Sequence, residues 1–238
     1  MEKITTVLFD LDGTLLPMDA ENFEKLYLKS LAKHTGALLE PEKMLKSVYI
    51  GQKAMVESTD ATQTNADVFY DTFGSIVGPE IKSQMMDILD EYYLNDFVLA
   101  KEATSQSQEM IDAVMHLKSV NKRVILATNP ILPRIATDRR IEWAGFELED
   151  FEDITRFEEN HFCKPSLQYY QEIINDNNLI PEHCLMIGND VEEDLIASQL
   201  GMKTWLIEDD LIHRGTEINC DWRGSRKEFI TKIKETFQ

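Results

Sequence analysis

The sequence predicts an α/β fold in which a doubly wound, parallel-sheet core carries an inserted, all-helical cap. Short apolar stretches that predict strands recur at 4–9, 123–127, 184–188 and 203–207, and amphipathic stretches that predict helices lie between them. One interval differs, because residues 17–95 show helical spacing and almost no strand-like alternation. Strands that alternate with helices are expected to pair in parallel, since a parallel pair needs a long crossover connection.

The first predicted strand ends in two acidic residues, Asp10 and Asp12, and Gly13 follows them. Carboxylates at the end of a buried strand repel each other, and at about 4 Å this costs roughly 4 kcal/mol at a surface-like dielectric constant. A hard cation that prefers oxygen ligands, such as Mg²⁺, would relieve that cost. The same residues also suit an ordinary Asp-Gly turn, so this pattern alone leaves both interpretations open.

The inserted interval divides into predicted helices at 20–35, 41–57, 62–77 and 79–95. We interpret 17–95 as a helical cap domain, which leaves 1–16 and 96–238 for the core. Because the insert leaves the core directly after the two acids, it is expected to lie over the carboxyl end of the first strand, where open α/β sheets bind ligands. Its aromatic residues are predicted to form the core of the cap: Phe69, Tyr70, Phe73, Tyr92 and Tyr93.

The second half of the chain returns to alternating strands and helices. The predicted elements are a helix at 104–119, a strand at 123–127, a helix at 133–143, a short strand at 151–155, strands at 184–188 and 203–207, and a closing helix from 223. The acidic run 208–210, which follows the last of these strands, is predicted to be exposed.

Polar residues stand at the ends of these strands and in one loop. Thr128 follows the strand at 123–127, Lys164 precedes a proline in a loop that leads into a helix, and Asp190 follows the strand at 184–188. A hydroxyl at a strand end, together with the next backbone N–H, can bind an anion. A lysine beside a carboxylate cluster balances its charge and binds phosphate as a point charge.

The Asp-Leu-Asp-Gly-Thr stretch at 10–14 resembles the first motif of the haloacid dehalogenase superfamily, in its phosphatase-like branch. Thr128, Lys164 and the acidic pair Asp190 and Asp194 follow in the order of the other motifs of that family. The resemblance covers nearly the whole chain and implies a Rossmann-like core. The cap matches only by its position and its helical character.

The resemblance also implies catalytic roles. Asp10 would attack phosphorus and form an aspartyl-phosphate, and Asp12 would act first as general acid and then as general base. Thr128, with Asn129 beside it, and Lys164 would hold the phosphoryl oxygens.

A metal site is implied in the same way. Mg²⁺ would bind to Asp10, to the backbone carbonyl of Asp12 and to Asp190, while Asp194 would orient Lys164 or hold a water. The sequence departs from the family pattern here, because Asn189 occupies the place directly after the glycine. The shorter motif spacing selects Asp190 as the ligand and the longer spacing selects Asn189. We favour Asp190, since an ionised carboxylate binds Mg²⁺ better than a neutral amide does.

These roles together predict a Mg²⁺-dependent phosphatase that acts on a small phosphorylated metabolite. Three alternatives stay open: a sugar-phosphate mutase, a phosphonate hydrolase that would need a cap lysine such as Lys25, Lys29 or Lys53, and a catalytically silent binding module. A dehalogenase is disfavoured, because those enzymes lack the second acid and Asp12 is present.

Composition limits the partners. The formal net charge of −19 disfavours binding to nucleic acid and to anionic membranes, which both depend on basic side chains. The cysteines, Cys163, Cys184 and Cys220, are widely spaced and odd in number, which predicts reduced thiols and a cytoplasmic location. The sequence does not indicate an oligomeric state.

Overall fold

The computed structural model describes residues 3–238. The strands within this range are β1 (Thr6–Phe9), β2 (Arg123–Leu126), β3 (Asp153–Ile154), β4 (Cys184–Gly188), β5 (Lys203–Ile207) and β6 (Trp222–Gly224). They form one sheet in the order β3-β2-β1-β4-β5-β6, in which every neighbouring pair is parallel. The predicted α/β class with a doubly wound parallel sheet is therefore confirmed.

Strand β1 lies in the middle of the sheet, and the order of the strands reverses beside it. Phe9 pairs with Leu126 of β2 on one side and with Ile187 of β4 on the other. The chain segments that follow these strands therefore leave the sheet at the same edge. This edge is the topological switch point at which open parallel sheets bind ligands.

Both faces of the sheet are buried, which is typical of parallel sheets. Successive side chains of a strand point to opposite faces. Accordingly Val7 and Phe9 belong to one apolar cluster and Leu8 belongs to another. The first cluster extends into the helical insert, so the insert and one face of the sheet share a continuous apolar interior.

The α-helices are α1 (Ala20–Thr35), α2 (Pro41–Glu57), α3 (Asn65–Val77), α4 (Pro79–Asn95), α5 (Gln108–Ser119), α6 (Arg134–Ala144), α7 (Leu167–Asp176) and α8 (Arg226–Thr236). Side-chain caps begin several of them, because the first backbone N–H groups of a helix have no partner inside it. Asp19 caps α1 by accepting from the N–H of Asn22, and Thr64 forms a reciprocal capping box with Asp67 at α3. No helix formed by residues 3–238 has the length and apolar character needed to cross a bilayer.

Helices α1–α4 lie between β1 and β2 in the sequence, as the helical spacing predicted. Three of the aromatic residues predicted for the interior of this block, Phe73, Tyr92 and Tyr93, are buried there. Phe97, just after α4, stacks on Trp143 of α6 with ring centroids 5.2 Å apart and so joins the block to the core. The division into a cap at 17–95 and a core formed by the remaining residues stays a prediction.

The structure differs from the prediction at the end of the chain. A closing helix was predicted from 223, but Trp222–Gly224 form β6 and the helix begins at Arg226. Pairing with β5 overrides the local helical pattern, and the Trp222 ring lies against that of Trp205 at 5.3 Å. Ser225 then caps the helix through a capping box with Glu228, which sets its first residue.

Candidate active site

A buried lysine joins two carboxylates at the carboxyl edge of the sheet. The Nζ atom of Lys164 lies 2.7 Å from Oδ1 of Asp10 and 2.6 Å from Oδ1 of Asp194. Burial opposes the positive charge of Lys164, but attraction to Asp10 and Asp194 outweighs this effect and raises its pKa well above the usual value. The lysine is therefore a fixed cation beside Asp10, at the place where an anionic substrate group could bind.

Asp194 reaches this position because β4 ends in a glycine. A Cβ atom at Gly188 would lie only 1.9 Å from Oδ2 of Asp194. The same Oδ2 atom accepts a hydrogen bond of 2.9 Å from the backbone N–H of Asp190, which fixes the carboxylate against the end of the strand. The predicted supporting residue Asp194 thus contacts Lys164 directly.

The loop after β1 turns sharply at Gly13, whose φ of +81° favours glycine. A Cβ atom there would also lie 2.2 Å from Nδ2 of Asn189. The hydroxyl of Thr14 donates to Oδ1 of Asn189 at 3.0 Å and lies 3.5 Å from Oδ2 of Asp10. The oxygens of Asp10 and Asn189 therefore converge on one hydroxyl group.

The amide of Asn189 is oriented by a second contact. Its Nδ2 atom donates to the backbone carbonyl of Asp210 at 2.7 Å, which leaves Oδ1 turned towards Thr14. Asp210 belongs to the acidic run that was predicted to be exposed, and for this residue the prediction was wrong. Its carboxylate accepts from the guanidinium of Arg226 and from the N–H of Met18, so tertiary contacts give it a structural role.

Asp190, the predicted metal ligand, has other partners. Both of its carboxylate oxygens lie 2.8 Å from Nη1 of Arg214, and Oδ1 also accepts from the N–H groups of Glu192 and Glu193. The structure thus brings Asp190 to the end of β4 but holds its carboxylate on Arg214. Arg214 was not predicted as a site residue, because it lies 24 residues beyond Asp190 in an irregular segment.

Thr128 and Asn129 lie just beyond the end of β2, where the sequence predicted them, with Ala127 between β2 and Thr128. The backbone carbonyl of Thr128 accepts from the hydroxyl of Tyr169 at 2.9 Å, which anchors the strand end on α7. Asn129 accepts from the backbone N–H of Lys164 at 3.2 Å and donates to Glu193 at 3.1 Å. Asn129 therefore links the segments that carry three of the predicted motifs. Burial raises the pKa of Glu193 to about 7.

Asp12 is paired with Arg140, a residue that the sequence analysis missed. Arg140 is buried on α6, donates to Oδ2 of Asp12 and also bonds to the backbone carbonyl of Ala136. A sequence signal for its burial exists. Arg140 lies four residues after Ala136 and three before Trp143, so it shares a helix face with these two apolar residues. The Oδ1 atom of Asp12 is buried without a hydrogen-bond partner among residues 3–238. Burial raises the pKa of Asp12, and Arg140 opposes that rise.

A cavity of about 270 Å³ lies beside Asp12, between the helical insert and the edge of the sheet. Helices α1 and α2 line one side of it, and Asn129, Ile131, Leu132 and Arg140 line the other. The side chain of Asp12 is 32% exposed. A carboxyl group with a raised pKa thus borders a space in which a small molecule could bind, while Asp10 stands beside a fixed cation. This arrangement suits attack by one carboxylate and proton transfer by the other.

No group of three or more His, Cys, Asp and Glu side chains within residues 3–238 is arranged as a metal site. The cation site implied by the motifs would instead combine the carboxylate of Asp10 with the backbone carbonyl of Asp12 and a single side chain after β4.

The fold and this edge of the sheet define an α/β protein with a carboxylate–lysine centre at its topological switch point. Residues 4–200 match the family model described as haloacid dehalogenase-like hydrolase, and the chain belongs to this family. The predicted resemblance and the predicted enzyme class, a hydrolase of this family, are therefore confirmed.

Individual relatives are distant. Glyceraldehyde 3-phosphate phosphatase from Methanothermobacter thermautotrophicus is 24% identical over 213 residues, which cover 87% of each chain. The structure of a HAD phosphatase from Thermococcus onnurineus is similar with a TM-score of 0.61 and 17% identity, over 97% of this chain and 98% of that one. The structure of the putative HAD-hydrolase YfnB from Bacillus subtilis bound to magnesium is similar with a TM-score of 0.58 and 19% identity, over 97% of this chain and 98% of that one.

Proposed function

We propose that the protein is a Mg²⁺-dependent phosphatase that hydrolyses a small phosphorylated metabolite through an aspartyl-phosphate on Asp10. The observation that carries this proposal is the buried contact of Lys164 with Asp10 and Asp194, at 2.7 and 2.6 Å. It supports a nucleophilic carboxylate beside a fixed cation. Phosphoryl transfer depends mainly on such positioning and on charge stabilisation.

In the first step, a carboxylate oxygen of Asp10 forms a bond to phosphorus while the bond between phosphorus and the leaving oxygen breaks. Asp12 gives its proton to that leaving oxygen, and the alcohol departs. The raised pKa of Asp12 favours the protonated form that this step needs. Lys164 and the hydroxyl of Thr128 stabilise the negative charge on the phosphoryl oxygens.

In the second step, a water attacks the phosphorus of the aspartyl-phosphate. Asp12, now ionised, takes a proton from this water, the bond between Asp10 and phosphorus breaks, and inorganic phosphate leaves. Arg140 stabilises the ionised form of Asp12 between the two steps, because it donates to Oδ2 of that carboxylate. One side chain thus serves as acid and then as base.

The residues present fit a hard divalent cation. Oδ2 of Asp10 and Oδ1 of Asn189 converge on the hydroxyl of Thr14, which can donate its single hydrogen to only one of them at a time. Oxygen atoms of this kind are the ligands that Mg²⁺ prefers. When bound, the cation would neutralise charge on the substrate phosphoryl group. We propose that Asp10, the backbone carbonyl of Asp12 and one side chain after β4 hold it.

Asn189 and Asp190 are the two candidates for the metal ligand after β4. The sequence favoured Asp190 because it carries a charge, but its carboxylate would have to leave Arg214. Asn189 already presents its amide oxygen on the same side as Asp10. These contacts support Asn189 as the ligand, with Asp190 as the alternative.

The other candidate reactions have less support. A phosphonate hydrolase would need a cap lysine in the cavity, but Lys25, Lys29 and Lys53 are exposed and do not line it. A sugar-phosphate mutase would need groups for a second phosphate, and Arg140, the basic side chain in the lining, is already paired with Asp12. For these reasons we favour a phosphatase over both. A cytoplasmic location, and the absence of nucleic acid and membrane partners, stay predictions from composition.

The deciding experiment measures hydrolysis of p-nitrophenyl phosphate by the wild type and by Asp10→Asn, with and without Mg²⁺. The proposal expects activity that requires the cation and disappears in the variant, while the melting temperature confirms that the variant folds. Asp19→Asn, which changes an exposed acid at the start of α1, is the matched control and should keep its activity. Turnover that survives the loss of Asp10 would refute the aspartyl-phosphate mechanism, and a folded wild type without turnover would favour a silent binding module.

A further inference from the structure

We infer that the alcohol part of the substrate carries no negative charge, is largely apolar and is close to a single aromatic ring in size. This inference rests on the proposed phosphatase function and deepens it, because it names the class of phosphomonoester that the site would accept. It comes from the side chains that surround the space beside Asp12.

The position of the leaving group follows from the proposed chemistry. Asp12 has to give a proton to the leaving oxygen, so that oxygen must come within hydrogen-bond distance of its carboxyl group. Asp12 lines the 270 Å³ cavity between the insert and the sheet edge. The alcohol part of the substrate must therefore occupy this cavity while the phosphoryl group faces Asp10 and Lys164.

Two cap helices supply most of the wall. Along α1, Phe23, Tyr27 and Leu28 face the cavity, and along α2 Leu45, Val48, Tyr49 and Gln52 do so. Residues three, four and seven positions apart share one face of a helix, so each helix turns one mainly apolar stripe towards the cavity. Leu132 on the core side and Met18, just before α1, extend the apolar wall.

The charges in the lining would reject an anion. They belong to Asp12, Glu24 and Arg140. Arg140 is buried and already pairs with Asp12, so it offers no free cation to a carboxylate or a second phosphate on the alcohol part. An anionic group that enters without a partner loses its hydration and gains nothing in return. Exposed Glu24 would repel an anion further.

Polar partners for hydroxyl groups are also few. The hydroxyl of Tyr27 is already bonded to that of Tyr93 at 3.0 Å, and the amide of Asn129 is bonded to Lys164 and Glu193. Beyond these groups the lining offers Gln52, the hydroxyl of exposed Tyr49, the carboxylate of exposed Glu24 and Oδ1 of Asp12. Apart from Arg140, the remaining lining side chains are apolar, so an alcohol with several hydroxyls, such as a sugar, would leave some of them without partners.

The size of the cavity matches a small alcohol part. An apolar cavity of about 150 Å³ is enough to hold benzene, so 270 Å³ has room for one substituted ring. The distant relative named for glyceraldehyde 3-phosphate acts on a smaller and more polar molecule. In this chain such a substrate would leave the apolar walls in contact with water.

The test compares kcat/KM for three phosphomonoesters of primary alcohols, at one pH and one Mg²⁺ concentration. Benzyl phosphate carries the apolar ring, 4-carboxybenzyl phosphate adds a single negative charge, and glycerol 1-phosphate replaces the ring by hydroxyls. Because all three phosphates are esters of primary alcohols, differences in leaving-group chemistry stay small. We expect kcat/KM for benzyl phosphate to exceed that for each of the others at least tenfold.

A charge introduced into the lining provides a second measurement. Leu28→Arg adds a cation to the half-buried part of the α1 face, and the ratio of kcat/KM for 4-carboxybenzyl phosphate to that for benzyl phosphate should rise at least tenfold. Leu94→Arg, at an exposed position on α4 outside the cavity, is the matched control and should leave this ratio unchanged.

The possible failures are distinguishable. If the wild type hydrolyses glycerol 1-phosphate or 4-carboxybenzyl phosphate as well as it hydrolyses benzyl phosphate, the inference is overturned and the phosphatase function stands. If it hydrolyses none of the three and also leaves p-nitrophenyl phosphate intact, the proposed function falls and the inference falls with it. The comparison in the wild type decides the matter even if Leu28→Arg fails to fold.

Discussion

Arg140, buried on α6, donates to Oδ2 of Asp12 across 128 positions of sequence. This contact joins the helix after the second motif to the loop of the first motif. It also sets two opposing influences on one carboxyl group, because burial raises the pKa of Asp12 and Arg140 works against that rise. Asp12 has to hold a proton in one step of the proposed reaction and lose it in the next. Arg140 therefore becomes the residue that balances the two forms.

We expect Arg140→Met to move the high-pH decline of kcat/KM to higher pH. Without the guanidinium, burial raises the pKa of Asp12 further, so the protonated form needed in the first step persists to higher pH. The loss of orientation should also lower kcat/KM at neutral pH by about 10–100-fold. A pH–rate profile measures both effects.

Two further variants serve as controls for this prediction. Arg140→Lys keeps the charge and should restore part of the profile, while Arg139→Met, which removes an exposed neighbour paired with Glu142, should leave it unchanged. A decline that stays at the pH of the wild type would show that Arg140 does not influence Asp12.

Lys164→Met should abolish activity and destabilise the protein. The change leaves the buried carboxylates of Asp10 and Asp194 without their shared cation, and removing one partner of a buried ion pair costs about 3 kcal/mol or more in the free energy of unfolding. Loss of this charge at the phosphoryl group should lower kcat by about 100-fold or more. Denaturant unfolding and steady-state kinetics measure the two effects.

The matched control is Lys203→Met, which removes a half-exposed lysine from its pair with Asp221. Such surface pairs contribute about 1 kcal/mol or less, so this variant should stay close to the wild type. Equal destabilisation by the two substitutions would contradict the role given to the buried lysine.

Gly188→Ala should disturb the site although it replaces no charged residue. The new methyl group would overlap Oδ2 of Asp194 and push this carboxylate away from Lys164. Overpacking of this kind lowers the free energy of unfolding by about 1–3 kcal/mol. Because Asp194 positions Lys164, activity should also fall by roughly tenfold or more. Gly36→Ala is the comparison, because a Cβ atom there meets the carbonyl of Ala32 at 3.2 Å and φ is already −63°. If Gly188→Ala keeps full activity, as Gly36→Ala should, the position of Asp194 is not needed for catalysis.

Calorimetric titration with Mg²⁺ distinguishes the two candidate ligands after β4. Asn189→Ala should weaken binding at least tenfold as an order-of-magnitude expectation, because it removes the ligand oxygen. Asp190→Asn should change the affinity little, because Arg214 already holds that carboxylate. The reverse ranking would make Asp190 the ligand, as its charge had suggested.

Much of the fold could be predicted from the sequence because its signals are local. Strands β1, β2, β4 and β5 are apolar runs, and helices α1, α2 and α4 have clear periodicity and clear breaks, so their predicted bounds agree closely with the structure. Strand β6 could not be predicted, because three residues become a strand only by pairing with β5. The start of α5 was predicted at 104, which is too early. Ser107 caps the helix by accepting from the backbone N–H of Met110, so α5 begins at Gln108.

The motif residues of the site were also identified from the sequence, since each stands at a strand end or beside a turn. Their partners were not. The position of Arg140 on the buried face of α6 is a weak signal that does not name Asp12 as its partner, and Arg214 lies in a segment without periodicity. The contact of Asn189 with Thr14 depends on the pairing of β1 with β4, which brings positions 175 apart together.

The sequence by itself therefore determined the alternation of the main strands and helices, the family and the identity of the motif residues that could perform chemistry. These depend on residue type and on spacing over a few turns. Only the tertiary structure decided which charges meet, that Lys164 is shared by Asp10 and Asp194, that Arg140 holds Asp12 and that the cavity beside them is mainly apolar. The reason is physical: burial and charge pairing depend on distances between elements, and local spacing does not specify those distances.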